Sequence, residues 1–512
     1  MRGVLRPRII RMAIQRRIKS VEQSMAETHD EKRSLKRSLG VWDLAVMGVA
    51  VAVGAGIFSV GAEASARHAG PAVIVSFIIA AAVCGLAILC YAEFASSIPV
   101  AGSAYTFTYS TLGEFLAWII GWDLILEMLM ASAVIAKYWG VYLGDAVSLF
   151  DLEIPMTLQL GPLSFDWGPV VIVAIFTVLL ALGTQLSSRV NSVFTVIKVA
   201  IVLFVIVVGL FFINGANYSP FVPPAESGAA SESAWTQSLF SFMTGSDPTM
   251  YGVFGILSGA ALVFFAFIGF DVVATSAEET KDPKRTVPRG IILGLIIVTV
   301  LYVLVAIVIT GMVSYTELAK LEEPSLASAF ELVGATWAAQ VIAIGSLVGL
   351  TTVVMVLLMG LARVVFAMSR DGLLPRSLSV TDAKRGTPIR IQLIVGVLIA
   401  IIAGFTDVQV LGDMINIGTL SAFVLVSIGV PILRKSRPDL ERPFTVPLSP
   451  WLPWISALAC FWLMLNLSTE TWLRFAIWLA LGMVIYFAYS RRHSLIGREL
   501  AKDAITSRST RI

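Results

Sequence analysis

Long uninterrupted apolar runs limit what this chain can fold into. Residues 194–214 carry a single charge, Lys198, and residues 290–313 and 392–404 carry none. A hydrocarbon layer of about 30 Å is crossed by roughly 20 such residues in a helix. With no water in that layer to bond backbone groups, the helix is the spanning form these runs allow. Composition agrees: 57% of the 512 residues are apolar and 14% charged, with mean hydropathy +0.85, too few charges to cover a soluble body of this size. The expected fold class is an all-α polytopic membrane protein.

The runs divide into about twelve transmembrane helices, near residues 42–61, 71–98, 112–143, 169–186, 191–213, 253–275, 289–313, 341–368, 391–405, 408–433, 452–467 and 472–489. Basic residues fall on one set of connections. They are Lys32, Arg33, Lys36 and Arg37 before the first span, Lys281, Lys284, Arg285 and Arg289 after the sixth, and Arg370, Arg376, Lys384, Arg385 and Arg390 after the eighth. Arg434, Lys435, Arg437 and Arg442 follow the tenth span, and Arg491, Arg492 and Arg498 follow the last. Residues 144–167 and 215–250 have none, and 314–340 have only Lys320. The positive-inside rule then places both termini in the cytoplasm of a cell whose plasma membrane holds the chain.

Residues 2–37 are basic, without an apolar core long enough for a signal peptide. Ile9, Ile10, Ala13, Ile14 and Ile18 suit a basic surface helix on anionic lipid; a translation start at Met25 accounts for the same stretch. Cys84, Cys90 and Cys460 lie inside apolar runs, so neither a disulfide framework nor a metal site is expected.

Chemistry is expected where a span breaks its own rules. In the first span Gly48, Gly54 and Gly56 weaken the helix, each by roughly 1 kcal/mol, although close helix packing also favours small residues. In the sixth, Gly269 and Asp271 follow the aromatic cluster Phe264, Phe265, Phe267. Both interruptions fall in the first helix of a group of five. Transporters built from inverted repeats use such paired breaks to form a mid-membrane site. Freed amides can hold a carboxylate and freed carbonyls an ammonium, and an amino acid presents both groups on one carbon.

Lys198 lies deep in the fifth span and Glu127 in the third, with Asp123 one turn before it. A charge at mid-membrane costs about 2.5–3.5 kcal/mol, so Glu127 and Lys198 are the expected couple, either as a static ion pair or as a proton-carrying one. Lys137 is expected to snorkel outward among Tyr138 and Tyr142. Arg363 and Arg370 are candidates for an inner gate with Asp43 or Asp371.

At these residues the sequence resembles the amino acid–polyamine–organocation superfamily, in its cationic amino acid transporter-like bacterial branch. The likeness is carried by Val53-Gly-Ala-Gly-Ile-Phe58, Tyr91-Ala-Glu-Phe-Ala-Ser-Ser-Ile-Pro-Val-Ala-Gly-Ser-Ala-Tyr105, Gly121-Trp-Asp-Leu-Ile-Leu-Glu127 and Phe267-Ile-Gly-Phe-Asp271. Ala277-Glu-Glu-Thr-Lys-Asp-Pro-Lys-Arg-Thr-Val-Pro-Arg-Gly290 and Met368-Ser-Arg-Asp-Gly-Leu-Leu-Pro375 complete it. The resemblance implies the leucine-transporter fold, a 5+5 inverted repeat plus two C-terminal helices. Its units would be a basic tail (1–39), the first five-helix repeat (40–214), an extracellular loop (215–250), the second repeat (251–434), two further helices (435–490) and a cytoplasmic tail (491–512).

The resemblance further implies that Gly54, Ala55 and Gly56 meet the substrate carboxylate. Phe264, Ala266 and Ile268 would offer contacts around the ammonium, Phe265 would close the site, and Phe267 belongs to the same substrate-binding set. From the sequence itself, Glu127, Thr351, Thr352 and Ser421 are the candidates for the pocket wall. The resemblance places Lys198 where sodium-coupled relatives hold an ion and Glu127 at the acidic position of the third helix. Ala55 departs from the hydroxyl residue many relatives have there.

The expected function is secondary active, proton-coupled uptake of an amino acid by alternating access. The substrate leans neutral because Lys198 would neutralise Glu127. An amino acid or polyamine exchanger and uptake specific for cationic amino acids are the alternatives. A channel would want a continuous polar stripe. His29, His68 and His493 lie near ends or loops and assemble no catalytic or metal centre, so neither an enzyme nor a cofactor is expected. The partners expected are the amino acid, the proton and membrane lipid, not nucleic acid. Oligomeric state is left open.

Overall fold

The computed structural model describes residues 17, 39–54, 56–97, 103–148, 154–183, 188–227, 235–245, 249–270, 273, 280–321, 324–382 and 387–498. Ala55, Asp271 and the Ile9–Ile18 and Met25 readings of the N-terminal tail lie outside them.

The first helix, α1 (Val41–Ala52), is opened by Asp43, whose carboxylate accepts from the Gly40 amide at 2.7 Å, an acid satisfying a donor at the positive end of a helix. It stops at Val53. The chain regains helical form at Gly56 in wide π turns (Gly56–Val60 and Ser65–Ala69) around a short α turn. Gly70 and Pro71 then lead to α2 (Val73–Ser97). A short helix, α3 (Ser103–Thr111), precedes the 35-residue α4 (Glu114–Ser148). A hairpin of β1 (Thr157–Leu160) and β2 (Leu163–Asp166) follows, turned by Gly161 at φ +67°, a two-residue loop of the kind that favours glycine.

The chain continues with α5 (Trp167–Ala181), α6 (Ser188–Gly209), α7 (Gly252–Val263), α8 (Pro283–Met312), α9 (Thr336–Arg370), α10 (Ile389–Phe405), α11 (Val408–Ser436), α12 (Trp451–Leu465) and α13 (Thr469–Ile485). Among the described residues seven helical stretches are long and apolar enough to cross a membrane, and five shorter apolar ones accompany them. The protein is a multi-pass helical membrane protein. Its outer face is apolar, with Val196, Val253, Leu458 and Val484 each more than 60% exposed, as expected of side chains that meet lipid rather than water.

The inner helices are α4, α9 and α11, with α4 packed most extensively on the other two. Buried polar contacts tie the ends of the bundle. Glu93 of α2 accepts two bonds from the Arg434 guanidinium (2.9 and 2.6 Å) and one from the Val446 amide (2.7 Å), a bidentate geometry available to arginine and not to lysine. Asp371 accepts from Tyr105 at 2.7 Å, joining α3 to the end of α9. Lys137 is directed to Asp166 of the hairpin rather than outward among the tyrosines. The hairpin, invisible to an apolar-run reading, supplies that carboxylate.

Candidate functional site

Two helices give out at the same place. Helix α7 passes into a tight 3-10 turn, Phe264–Phe267, and goes extended at Ile268, well short of residue 275 where the apolar run ends. Gly269 follows at φ +113°, a conformation side chains disfavour. A Cβ there would also lie 2.3 Å from Val51 Cγ1 in the last turn of α1. On the other break, a Cβ on Gly56 would lie 2.4 Å from Ala266 Cα. The two interruptions are therefore in backbone contact, and glycine permits it on both sides.

A broken helix frees carbonyls that must find donors. Lys198 Nζ donates to Ala50 O at 2.9 Å. The Tyr302 hydroxyl, from the middle of α8, stands 2.5 Å from Ala52 O and 2.9 Å from Ala266 O. It has one proton for two carbonyls, so it bridges the breaks while satisfying only one acceptor at a time. Its ring is held edge-on by Phe77 (centroids 5.8 Å apart) and Phe267 (5.3 Å). Asn416 Nδ2 of α11 donates to Leu262 O at 3.4 Å.

A cavity of ≈ 30 Å³ opens beside this junction, room for about two waters. Gly54, Gly56 and Gly269 bring peptide backbone to it, Phe265 and Ile268 flank it, and Glu127 lies in its wall. The rest of the wall is aliphatic, with Met128 and Ile135 of α4 facing Val353 and Leu357 of α9. A leucine-sized ligand enters only if these side chains move apart.

Of the residues expected here, Gly54, Gly56, Phe265, Ile268 and Glu127 line the cavity. Ala266 lies behind it against Gly56, Phe264 packs edge-on to Phe423 (5.8 Å), and Phe267 belongs to the Tyr302 cluster. Thr351 is turned elsewhere: its hydroxyl donates to Leu347 O at 2.8 Å and accepts from Trp139 Nε1 at 2.9 Å.

The expected Glu127–Lys198 ion pair is not among the ion pairs of the described residues. Lys198 approaches across Gly349 of α9, where a Cβ would meet its Cγ at 2.9 Å, and so reaches the end of α1. Glu127 sits over Gly418 of α11, where a Cβ would be 3.6 Å from its own. Tyr302 was not anticipated; its only sequence signal is an aromatic hydroxyl in the middle of an otherwise apolar run.

Residues 39–488 match the family described as amino acid permease. The branched-chain amino acid permease BcaP of Bacillus subtilis (strain 168) is 42% identical over 489 residues, covering 94% of this chain and 99% of that protein. The methylthioribose transporter of the same organism is 40% identical over 473 residues, covering 91% and 96%. The vacuolar cationic amino acid transporter 4 of Arabidopsis thaliana is 35% identical over 437 residues, covering 85% and 68%.

Proposed function

The chain belongs to the amino acid permease family, transporters rather than enzymes, and from that premise we propose proton-coupled uptake of neutral, aliphatic amino acids by alternating access. The observation that carries this reading is the cavity itself, with backbone of both broken helices at one end and an aliphatic wall from α4 and α9 at the other. In this reading the backbone of the first break at Gly54 and Gly56 offers amides to a carboxylate, and the backbone of the second break offers carbonyls to an ammonium. Met128, Ile135, Val353 and Leu357 suit a branched aliphatic side chain. The similarity to a protein named as a branched-chain amino acid permease supports the same class.

In this reading twelve spans form a 5+5 repeat with two added helices, and both termini lie in the cytoplasm. Phe265 closes the site, and Lys198 carries the proton by exchanging its bond to Ala50 O as α1 moves. The alternative, cationic amino acid uptake, draws on one specific observation: a carboxylate residue, Glu127, lies in the cavity wall, while Lys198 bonds Ala50 O.

The test is uptake of labelled isoleucine, leucine, alanine, lysine and arginine into proteoliposomes with and without an inward proton gradient. Gradient-driven accumulation of isoleucine or leucine is expected. Uptake indifferent to the gradient and dependent on internal amino acid would establish an exchanger instead, and uptake of arginine and lysine alone would establish the cationic reading.

A further inference from the structure

The last apolar helix ends in a basic pocket that shares no lining residue with the cavity at the two breaks. After α13 the chain makes a π turn, Tyr486–Ser490, and a short helical turn, Arg491–His493. This segment is docked firmly. Ser490 Oγ donates to Leu373 O (2.6 Å), the Leu495 amide to Asp371 O (3.1 Å), Tyr486 to Glu114 (3.1 Å), and Ser494 also bonds Glu114. Arg17 closes the back wall, giving Nη1 bonds to Glu114 (3.0 Å) and to the Arg491 carbonyl (2.7 Å). The charge of Arg17 is therefore answered by the buried Glu114.

In front of it lies a cavity of ≈ 420 Å³ lined by Arg17, Phe487, Arg491, Arg492, Gly497 and Arg498, large enough for a small polar ligand. No carboxylate among the described residues forms an ion pair with Arg491, Arg492 or Arg498. Among the described residues, three guanidiniums are thus gathered round one space with no carboxylate in ion-pair contact with them. Phe487 and Phe115, 6.0 Å apart and both exposed, form an aromatic shelf on the same outer face as the exposed Ile477, Leu481 and Val484. Arg491 lies one helical turn, about 6 Å, beyond Phe487. Guanidiniums just past the end of a lipid-facing apolar stripe stand at phosphate depth.

We propose that this pocket binds the phosphate headgroup of an anionic phospholipid, with its acyl chains on the Phe487–Phe115 shelf. Arginine suits the task because its planar fork meets phosphate oxygens two at a time. The inference does not depend on which amino acid is carried, nor on whether a proton drives it.

The experiment uses the full chain purified in neutral detergent, with binding followed by native mass spectrometry and by thermal shift. The probes are dioleoyl phosphatidylglycerol, dioleoyl phosphatidylcholine and free glycerol 1-phosphate. We expect phosphatidylglycerol to be retained and to raise Tm, and the combined R491Q/R492Q/R498Q variant to weaken its binding by on the order of a hundredfold. These side chains are exposed and the Arg17 bond to residue 491 is to its backbone, so the variant keeps its fold; an unchanged Tm without lipid verifies this. The control R289Q/R390Q/K435Q removes three charges outside the pocket lining and is expected to bind phosphatidylglycerol like the parent. Equal loss in the control would mean diffuse attraction and overturn the pocket. Equal binding of phosphatidylcholine, or undiminished phosphatidylglycerol binding in the triple variant, would overturn it too. A matching shift from glycerol 1-phosphate alone would make the ligand a soluble phosphate and overturn the lipid.

Discussion

Lys198 Nζ lies 2.9 Å from the carbonyl oxygen of Ala50, two residues before α1 ends. In an unbroken helix that carbonyl would accept from the amide of residue 54; the break leaves it to a lysine from another helix. A cation at the negative end of a helix is favourably placed, and the bond fixes where α1 stops relative to α6. Lys198→Ala should leave the protein inserted and monodisperse while cutting gradient-driven accumulation at least tenfold. A hydrogen bond from a charged group contributes about 1.5–3 kcal/mol. Undiminished accumulation under a proton gradient in this variant would show that the lysine only braces α1.

Tyr302 gives a separable test because its ring and its hydroxyl act differently. Tyr302→Phe keeps the edge-on packing with Phe77 and Phe267 and removes the proton shared by Ala52 O and Ala266 O. Losing one such bond in a buried place costs about 1–3 kcal/mol. We expect normal expression, with KM for the transported amino acid raised about tenfold because the two breaks no longer hold one geometry. Kinetics identical to the parent would reduce Tyr302 to packing.

The glycines of the first break should behave unequally. A methyl on Gly56 would meet the Ala266 backbone at 2.4 Å, whereas one on Gly54 finds Ile135 and Val353 side chains no nearer than 3.7 Å. Gly56→Ala must push the two breaks apart, an overpacking strain of about 1–3 kcal/mol, and should lower Tm and abolish uptake. Gly54→Ala should keep the parent Tm but project a methyl toward a cavity of ≈ 30 Å³ and weaken substrate binding. The prediction is contradicted if the two variants share one Tm and one KM.

The sequence makes the breaks legible because paired glycines in the first and sixth spans violate helix propensity in the same relative place. It makes Lys198 legible because a lone charge in a membrane span has to have a reason. It does not reveal the partner of that charge. Gly349 opens the path by which the lysine stem crosses α9, and only the break itself frees Ala50 O. Tyr302 is hidden for a similar cause: a tyrosine among valines and leucines shows no periodicity, and its role exists only once two distant carbonyls meet. Thr351 was readable as a polar residue on the correct helix, but its rotation about α9 depends on Trp139, which takes the hydroxyl as acceptor. The neighbouring Val353 and Leu357 face the cavity instead.

Substrate charge turns on Glu127. A neutral preference argued from a Glu127–Lys198 pair loses that support, since Lys198 is bound to Ala50 O and Glu127 stands in the cavity wall. The preference now rests on the aliphatic residues around it. Moving a side-chain ammonium into such a space strips its hydration and demands a facing carboxylate, whereas an aliphatic side chain needs only the wall. Glu127→Gln separates the two cases because it removes charge and little volume. For a neutral substrate, isoleucine or leucine binding should stay within about threefold of the parent, well under 1.4 kcal/mol. For a cationic substrate the same change should weaken arginine binding tenfold or more. Competition by excess alanine, leucine, lysine and arginine against the transported label, in parent and variant, reads this directly. We expect leucine to compete best in both proteins; arginine competing best in the parent and failing in Glu127→Gln would reverse the assignment and make Glu127 the side-chain receptor.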